Sequence, residues 1–224
     1  MKSSPLYGVY GAAGCGRGVM PLVRQQMASR GVTPDRLVFV DDNPKTTNIN
    51  GHRVMLYEKF LAASADEHHI VLAIANSQTR EQLALRCEKD GVKSLSVVAA
   101  NVVMMDEIQV GEGAILSPFV TITSNITIGR HFQANIYSYI EHDCIIGDFV
   151  TFAPSVQCNG NIVIEDHVYV GAGAIIKQGL PDNPLIIGRG ATIGMGAVVT
   201  KSVLAGATVI GNPARILTGK DNQC

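Results

Sequence analysis

The chain has no tryptophan, and aromatic residues make up only 5% of its 224 positions. That scarcity points to an aliphatic, β-rich interior. It also lacks an excess of charge of either sign: the net charge is −1 and the pI about 6.6, so nothing recommends a nucleic-acid surface. No apolar run is long enough to cross a bilayer, so no transmembrane segment is expected. The N-terminus lacks the basic, apolar, small order of a signal peptide, because Leu6–Tyr10 is short and runs straight into glycines. The five cysteines, at positions 15, 87, 144, 158 and 224, are scattered and odd in number. Disulfide pairing does not suit that pattern; reduced thiols in a cytoplasmic protein do. The length suffices for one or two domains with cores of their own.

What the chain does have is a period of six. From Ile108 every sixth residue through Ala174 is apolar or small, with Ser138 the one polar member. A second series two residues later, from Val110 through Ile176, is apolar at all twelve positions. Chance is a poor explanation at 46% apolar composition. Each unit offers two inward aliphatics and then a turn, often with glycine, as at Ile128-Gly129, Ile146-Gly147 and Val170-Gly171. Three units make an 18-residue triangular coil, and stacked coils form a parallel β-helix. Ala174 and Leu185 are eleven residues apart rather than twelve, with Gly179, Pro181 and Pro184 between them, which predicts an external loop.

The first half has another rhythm. Leu6–Tyr10, Leu37–Val40 and Ile70–Ile74 read as strands, and Val19–Ser29 and Thr79–Asp90 as helices. Alternating strand and helix predict a small parallel α/β sheet. We place the boundary at 97/98, giving domains 1–97 and 98–224.

The coil acts as a coordinate system. Residues 18 apart fall in one column, about 4.8 Å per step. His142 then shares a column with Ser124, Gly160 and Gln178, and Asp143 lies beside it in a column with Asn125. A solvated polar corner is the plain account. The sharper one is a base: Glu141 and Asp143 flank the ring, and Gly160 permits close approach to a backbone N–H. His131 and His167 share a column with Phe149 between them, and Cys144 and Cys158 fall in the inward series, so no closed zinc site is expected. In the first half, Gly11-Ala-Ala-Gly14-Cys-Gly16-Arg-Gly18 follows a strand and opens a helix, where backbone N–H groups suit a phosphate. Its spacing is not the dinucleotide fingerprint. Asp41-Asp42 and Ala73-Ile74-Ala75-Asn76 follow the next two strands, at the end of the sheet where ligands bind. A tight turn is the plainer account of both the glycines and the aspartates.

The glycine loop, the Asp-Asp pair, the hexapeptide half and the segment Glu141-His142-Asp143-Cys144-Ile145-Ile146-Gly147 together resemble the sialic-acid O-acetyltransferase-like sugar acyltransferases. By motif the chain is most similar to bacterial N-acetyltransferases acting on UDP-4-amino-4,6-dideoxy-N-acetyl-glucosamine. The resemblance covers nearly the whole chain. It implies a Rossmann-like parallel sheet followed by a left-handed parallel β-helix of hexapeptide repeats. It implies His142 as general base, Asp143 as its supporting acid and Gly160 as backbone donor to the acetyl carbonyl. Ala13, Gly14 and Cys15 match the phosphate and nucleotide loop, with Ala13 and Cys15 standing where relatives usually carry Ser and His. Asp41 and Asp42 match the uridine contacts; Ala75, beside Asn76, stands where relatives carry glycine in the third loop. Thr151, Ala172 and Met195 match the acetyl-CoA contacts, Thr151 in place of a histidine. The family is homotrimeric, with acetyl-CoA between subunits and no metal.

The reading that results is direct transfer from acetyl-CoA to the 4-amino group of a UDP-linked amino-dideoxysugar, for glycan or glycoprotein biosynthesis. No cysteine lies in the outward column, so a ternary complex is preferred to an acetyl-enzyme. The alternatives are O-acetylation of a sialic acid or other sugar hydroxyl, and a non-catalytic nucleotide-sugar-binding β-helix. A nicotinamide enzyme is disfavoured by the glycine spacing.

Overall fold

The computed structural model describes residues 4–217, so Cys224 lies outside the described residues. The chain divides into two compact units. One runs through Ala100 and takes in Glu112–Ile115; the other comprises Asn101–Gly111 and the chain from Leu116 onward.

The first unit is a six-stranded sheet in the order β3-β4-β2-β1-β5-β6. Its centre is β1 (Leu6–Tyr10), paired in parallel with β2 (Leu37–Val40) and β5 (His68–Leu72). Every residue of β1 and β2 is buried, which is why both read as continuous apolar runs rather than alternating ones. Helix α1 (Gly14–Ala28) buries Val19, Met20, Val23 and Met27. It begins five residues before the expected Val19, because its first turn carries glycines in place of the apolar period. Strand β5 ends at Leu72, two residues short of the expectation, and the carbonyl of Ile74 instead accepts the Arg80 guanidinium at 2.7 Å. Helix α3 (Ser77–Lys89) starts two residues early because the Asn76 side chain caps it, accepting the Thr79 N–H at 2.8 Å. The hairpin β3 (Asn48–Ile49)–β4 (His52–Met55), the short α2 (Tyr57–Leu61) and β6 (Lys93–Ser94) were not anticipated.

The second unit is the left-handed parallel β-helix. Its three faces are ladders of two- and three-residue strands. On one face Thr121, Tyr139, Gln157 and Ile175 lie in register, 18 residues per step. On the next, Ile126 pairs Ile108 and Thr127 pairs Ile145; on the third, Gln133, Thr151 and Tyr169 align. From Ala114 through Ala174, and from Leu116 through Ile176, both six-residue series are buried, so the predicted inward positions are the core. Ser138, its polar exception, is satisfied: its hydroxyl donates to Ala153 O at 3.0 Å and accepts the Val156 N–H at 3.1 Å. The step from Ile162 to Leu185 is 23 residues, and the surplus is the external loop, closed by mutual backbone bonds between Leu180 and Asn183. The last coil is finished by an antiparallel pair, Val209 with Ile216.

Each corner of the triangle turns through one left-handed residue. At the first corner these are Glu107, Asn125, Asp143 and Asn161, with φ from 53° to 59°. At the second, His131, Phe149 and His167 take this role, and at the third Phe119, Tyr137 and Ser155. Side chains carried there stand in register from coil to coil.

Candidate active site

His142 sits on the first corner, immediately before the left-handed Asp143. That backbone bend folds the Asp143 carboxylate back onto its neighbour, with His142 Nδ1 to Asp143 Oδ2 at 2.8 Å. The other oxygen, Oδ1, accepts Asn125 Nδ2 at 3.1 Å from one coil below. These two bonds hold the Asp143 carboxyl below the ordinary carboxylate range, the one from His142 contributing most. A carboxylate accepts only, so Nδ1 is the donor in this bond, and the neutral ring would keep its lone pair on Nε2.

One coil above, the ring lies flat against Gly160. A Cβ there would stand 2.5–2.9 Å from three atoms of the His142 imidazole, so the column requires glycine. The neighbouring N–H groups are committed, Asn159 to Ile176 O and Asn161 to His142 O, while the Gly160 N–H has no partner among the described residues. His142 and Gly160, placed in one column by the 18-residue arithmetic, are therefore together. Asn125, named only as a column neighbour from sequence, is the third member.

Ala172 and Met195 lie elsewhere, on the third corner. They occupy adjacent coils, with the Gly196 N–H donating to Ala172 O at 2.8 Å. Gly171, Gly173, Gly194 and Gly196 flank them, and Met195 is 82% exposed, so the corner is open enough to receive an extended chain. Thr151 is at neither corner; it lies buried on the face between the second and third, in register with Gln133 and Tyr169. The second corner carries a stack of parallel rings, His131 on Phe149 at 5.2 Å and Phe149 on His167 at 5.4 Å. No cluster of three or more potential metal ligands is found among the described residues.

In the α/β unit the loops after β1 and β2 enclose a pocket of about 390 Å³ lined by Ala12, Ala13, Asp41, Asn43, Lys45 and Val54, among others. Gly11 (φ 102°) turns the chain out of β1, and Gly16 packs so closely that a Cβ would fall on the Gly11 carbonyl. Helix α1 opens at Gly14 with no side-chain cap and no acidic residue in its first turn, which leaves its N-terminal N–H groups for an anion. Cys15 is in that turn; desolvation pushes its thiol pKa up, with Arg80 pulling the other way.

The two aspartates take different paths. Asp41 ties the loops together, its oxygens accepting Ala12 N–H at 3.2 Å and Asn43 N–H at 2.9 Å. Asp42 turns away from the pocket: both its oxygens accept the Tyr10 hydroxyl at 2.8 Å, and Arg86 of α3 reaches Oδ1 at 3.2 Å. Ala75 and Asn76 are exposed in the third loop but outside the pocket lining. Asn43 and Lys45, which do line it, are not among the site residues that the sequence suggests.

A histidine bonded to a carboxylate and packed on a glycine, at the corner of a hexapeptide β-helix, is an arrangement suited to acyl transfer. Residues 8–87 match the family model described as the PglD N-terminal domain. The GDP-perosamine N-acetyltransferase of Escherichia coli O157:H7 is 51% identical over 210 residues, 94% of this chain and 95% of that protein. The structure of WeeI from Acinetobacter baumannii AYE superposes with a TM-score of 0.93 at 57% identity, covering 96% of this chain and 100% of that one. The acetyltransferase domain of PglB from Neisseria gonorrhoeae FA1090, in complex with acetyl coenzyme A, gives 0.82 at 25% identity over 96% and 100% of the two chains. The chain belongs to this family of sugar N-acetyltransferases. It is an enzyme, which sets aside the non-catalytic alternative.

Proposed function

We propose that the protein transfers the acetyl group of acetyl-CoA to the 4-amino group of a UDP-linked amino-dideoxysugar. The observation that supports the chemistry is the Asn125–Asp143–His142 chain, with the His142 ring packed against Gly160. Acetyl-CoA supplies the activated thioester carbonyl. As the amine nitrogen bonds to that carbon, Gly160 N–H stabilises the oxygen, worth on the order of 3 kcal/mol. His142 Nε2 takes the amine proton, a contribution of about 10²–10⁴-fold. When the carbon–sulfur bond breaks, the same proton passes to the departing thiolate, and His142 is ready again.

The α/β unit would hold the nucleotide, with the pyrophosphate at the start of α1 and the base in the pocket behind Ala13 and Asp41. The acetyl-CoA contacts favour a homotrimer. Within one chain, Ala172 and Met195 are a full side of the triangle from His142, six residues or on the order of 15–20 Å. A neighbouring copy turned about the threefold axis would bring its third corner to the first corner of this one. Acetyl-CoA and nucleotide sugars are cytoplasmic metabolites, and no helix among the described residues is long and apolar enough to cross a membrane, in keeping with work in the cytoplasm.

A second reading keeps the reaction and changes the base: the E. coli relative is named for a GDP-linked sugar, and it matches 94% of this chain. A panel separates the readings. Acetyl-CoA is offered with UDP-4-amino, GDP-4-amino and sialic-acid acceptors, and free thiol is followed. Turnover with the UDP sugar, falling at least a hundredfold in His142→Ala, is the expected result. Preference for the GDP sugar supports the second reading, and full turnover by His142→Ala at saturating substrate refutes the assigned base.

A further inference from the structure

Cys144 lies two residues after His142, buried in the core, and the proposed reaction makes no use of it. Its column is otherwise aliphatic, with Ile126 one coil below and Ile162 one coil above. A second thiol, Cys158, interrupts the adjoining column between Ile140 and Ile176. The two are in hydrogen-bond contact with each other. Isoleucine would bury more apolar surface at both places, so packing alone does not account for the thiols. Cys144 Sγ lies 3.2 Å from Asn159 O and 3.5 Å from His142 O. His142 O already accepts the Asn161 N–H at 3.0 Å, whereas Asn159 O takes no backbone N–H among the described residues. The single thiol proton of Cys144 therefore belongs to Asn159 O. Cys158 Sγ is farther from that carbonyl, at 3.9 Å.

That carbonyl is the other end of the peptide that carries the Gly160 N–H. The Asn159–Gly160 bond is trans, Asn212–Pro213 being the only cis peptide among the described residues. In a trans peptide the C=O and N–H point in opposite directions. An Asn159 oxygen held inward by Cys144 therefore sends the Gly160 N–H outward, onto the corner where the His142 ring packs. By the same register Ile126 stands under Glu141 and Ile162 under Lys177, and an isoleucine side chain has no proton to offer. Of these three coils, only the peptide of the proposed oxyanion donor has its carbonyl anchored by a core side chain. We infer that Cys144 is a positioning residue: its thiol fixes the Asn159–Gly160 peptide and so aims the Gly160 N–H at the acetyl carbonyl. A donor stabilises an oxyanion best when it is aligned before the charge develops. The inference rests on Gly160 as the proposed oxyanion donor and adds the group that orients it.

The test compares the whole protein with Cys144→Val, Cys144→Ser and Cys158→Val. Valine suits a column of isoleucines but has no proton to give; serine keeps a donor. Cys144→Val should lower kcat about threefold or more, the worth of one hydrogen bond, with KM for both substrates and the melting temperature little changed. Cys144→Ser should recover most of that loss. Cys158→Val, the same change in the adjoining column, should leave kcat within about twofold. The S–H stretching band, taken as the infrared difference between the unaltered protein and Cys144→Val, should lie below that of a free thiol. A band at the free-thiol position overturns the inference whatever the kinetics. A fall in Cys144→Ser or Cys158→Val as large as that in Cys144→Val also overturns it, since packing would then be the cause. A lowered band with unchanged kcat in Cys144→Val means that the thiol holds the carbonyl but Gly160 is not the oxyanion donor, and the reading beneath the inference fails. If the unaltered protein acetylates no acceptor of the panel, the proposed reaction fails, while the band still decides whether the thiol holds the peptide.

Discussion

Asp143 shows how much one backbone dihedral does. Its left-handed φ of 57° costs energy for a non-glycine residue, and the return is a carboxylate turned onto the ring of the preceding histidine. Asn125 then fixes the carboxylate from below. Because both bonds favour the charged form, the Asp143 midpoint lies below the ordinary 3.8. The sign of the linkage follows: the native pairing contributes above the unfolded midpoint and is lost as pH falls through the lower, folded one. Asn125→Ala should move the Asp143 midpoint up toward 3.8 in a carbon-13 titration of the carboxyl, and should lower kcat several-fold with little change in KM for either substrate. An unmoved midpoint would show that Asn125 is no more than a neighbour. His142, Asp143 and Gly160 were legible because a column in a β-helix is arithmetic on residue numbers. The partner choice of Asn125 was not, since its column predicts proximity but not which rotamer it takes. Asp42 was illegible for a related reason: its place after β2 says nothing of Tyr10 and Arg86, which come from distant strands and helices to claim it.

At the scale of elements, periodicity decided what could be read. The hexapeptide strands, the 23-residue step and the buried strands β1 and β2 follow from repeated apolar spacing. Helix α1 does not announce its first turn, where Gly14, Gly16 and Gly18 stand in place of an apolar stripe. Those glycines are not equivalent, and substitution should separate them. Gly16 touches the Gly11 carbonyl, so Gly16→Ala must push the loop and helix apart, at about 1–3 kcal/mol. Gly18 faces open space in helical conformation, so Gly18→Ala should stabilise by about 0.5–1 kcal/mol, the ordinary helix preference for alanine over glycine. Urea unfolding of the full chain measures both. If the proposed nucleotide site is right, nucleotide-sugar affinity should fall for Gly16→Ala alone, because only that change shifts the loop of Ala12 and Ala13 that lines the pocket. Equal effects at the two positions would mean that the close contact does not constrain the loop.

At the scale of the whole molecule, the triangular coil separates the two groups of residues that the proposed reaction would join. His142 and Gly160 are on the first corner, Ala172 and Met195 on the third, and a rigid prism with a packed aliphatic core cannot bring its own corners together. If both corners serve one reaction, the third corner must come from a second copy, and a cyclic head-to-tail arrangement supplies it at every interface. That geometry predicts complementation. His142→Ala removes the base, and Ala172→Trp blocks the donor groove, so each variant alone should be inactive. Co-expressed in equal amounts, their mixed assemblies should recover about a quarter of unaltered activity, since half of all first corners and, independently, half of the third corners they meet remain intact. Mass determination of the assembly gives the copy number independently. Recovery near zero, with mixing confirmed by differently tagged subunits, would place the whole donor site within a single chain and require another route for acetyl-CoA to reach His142.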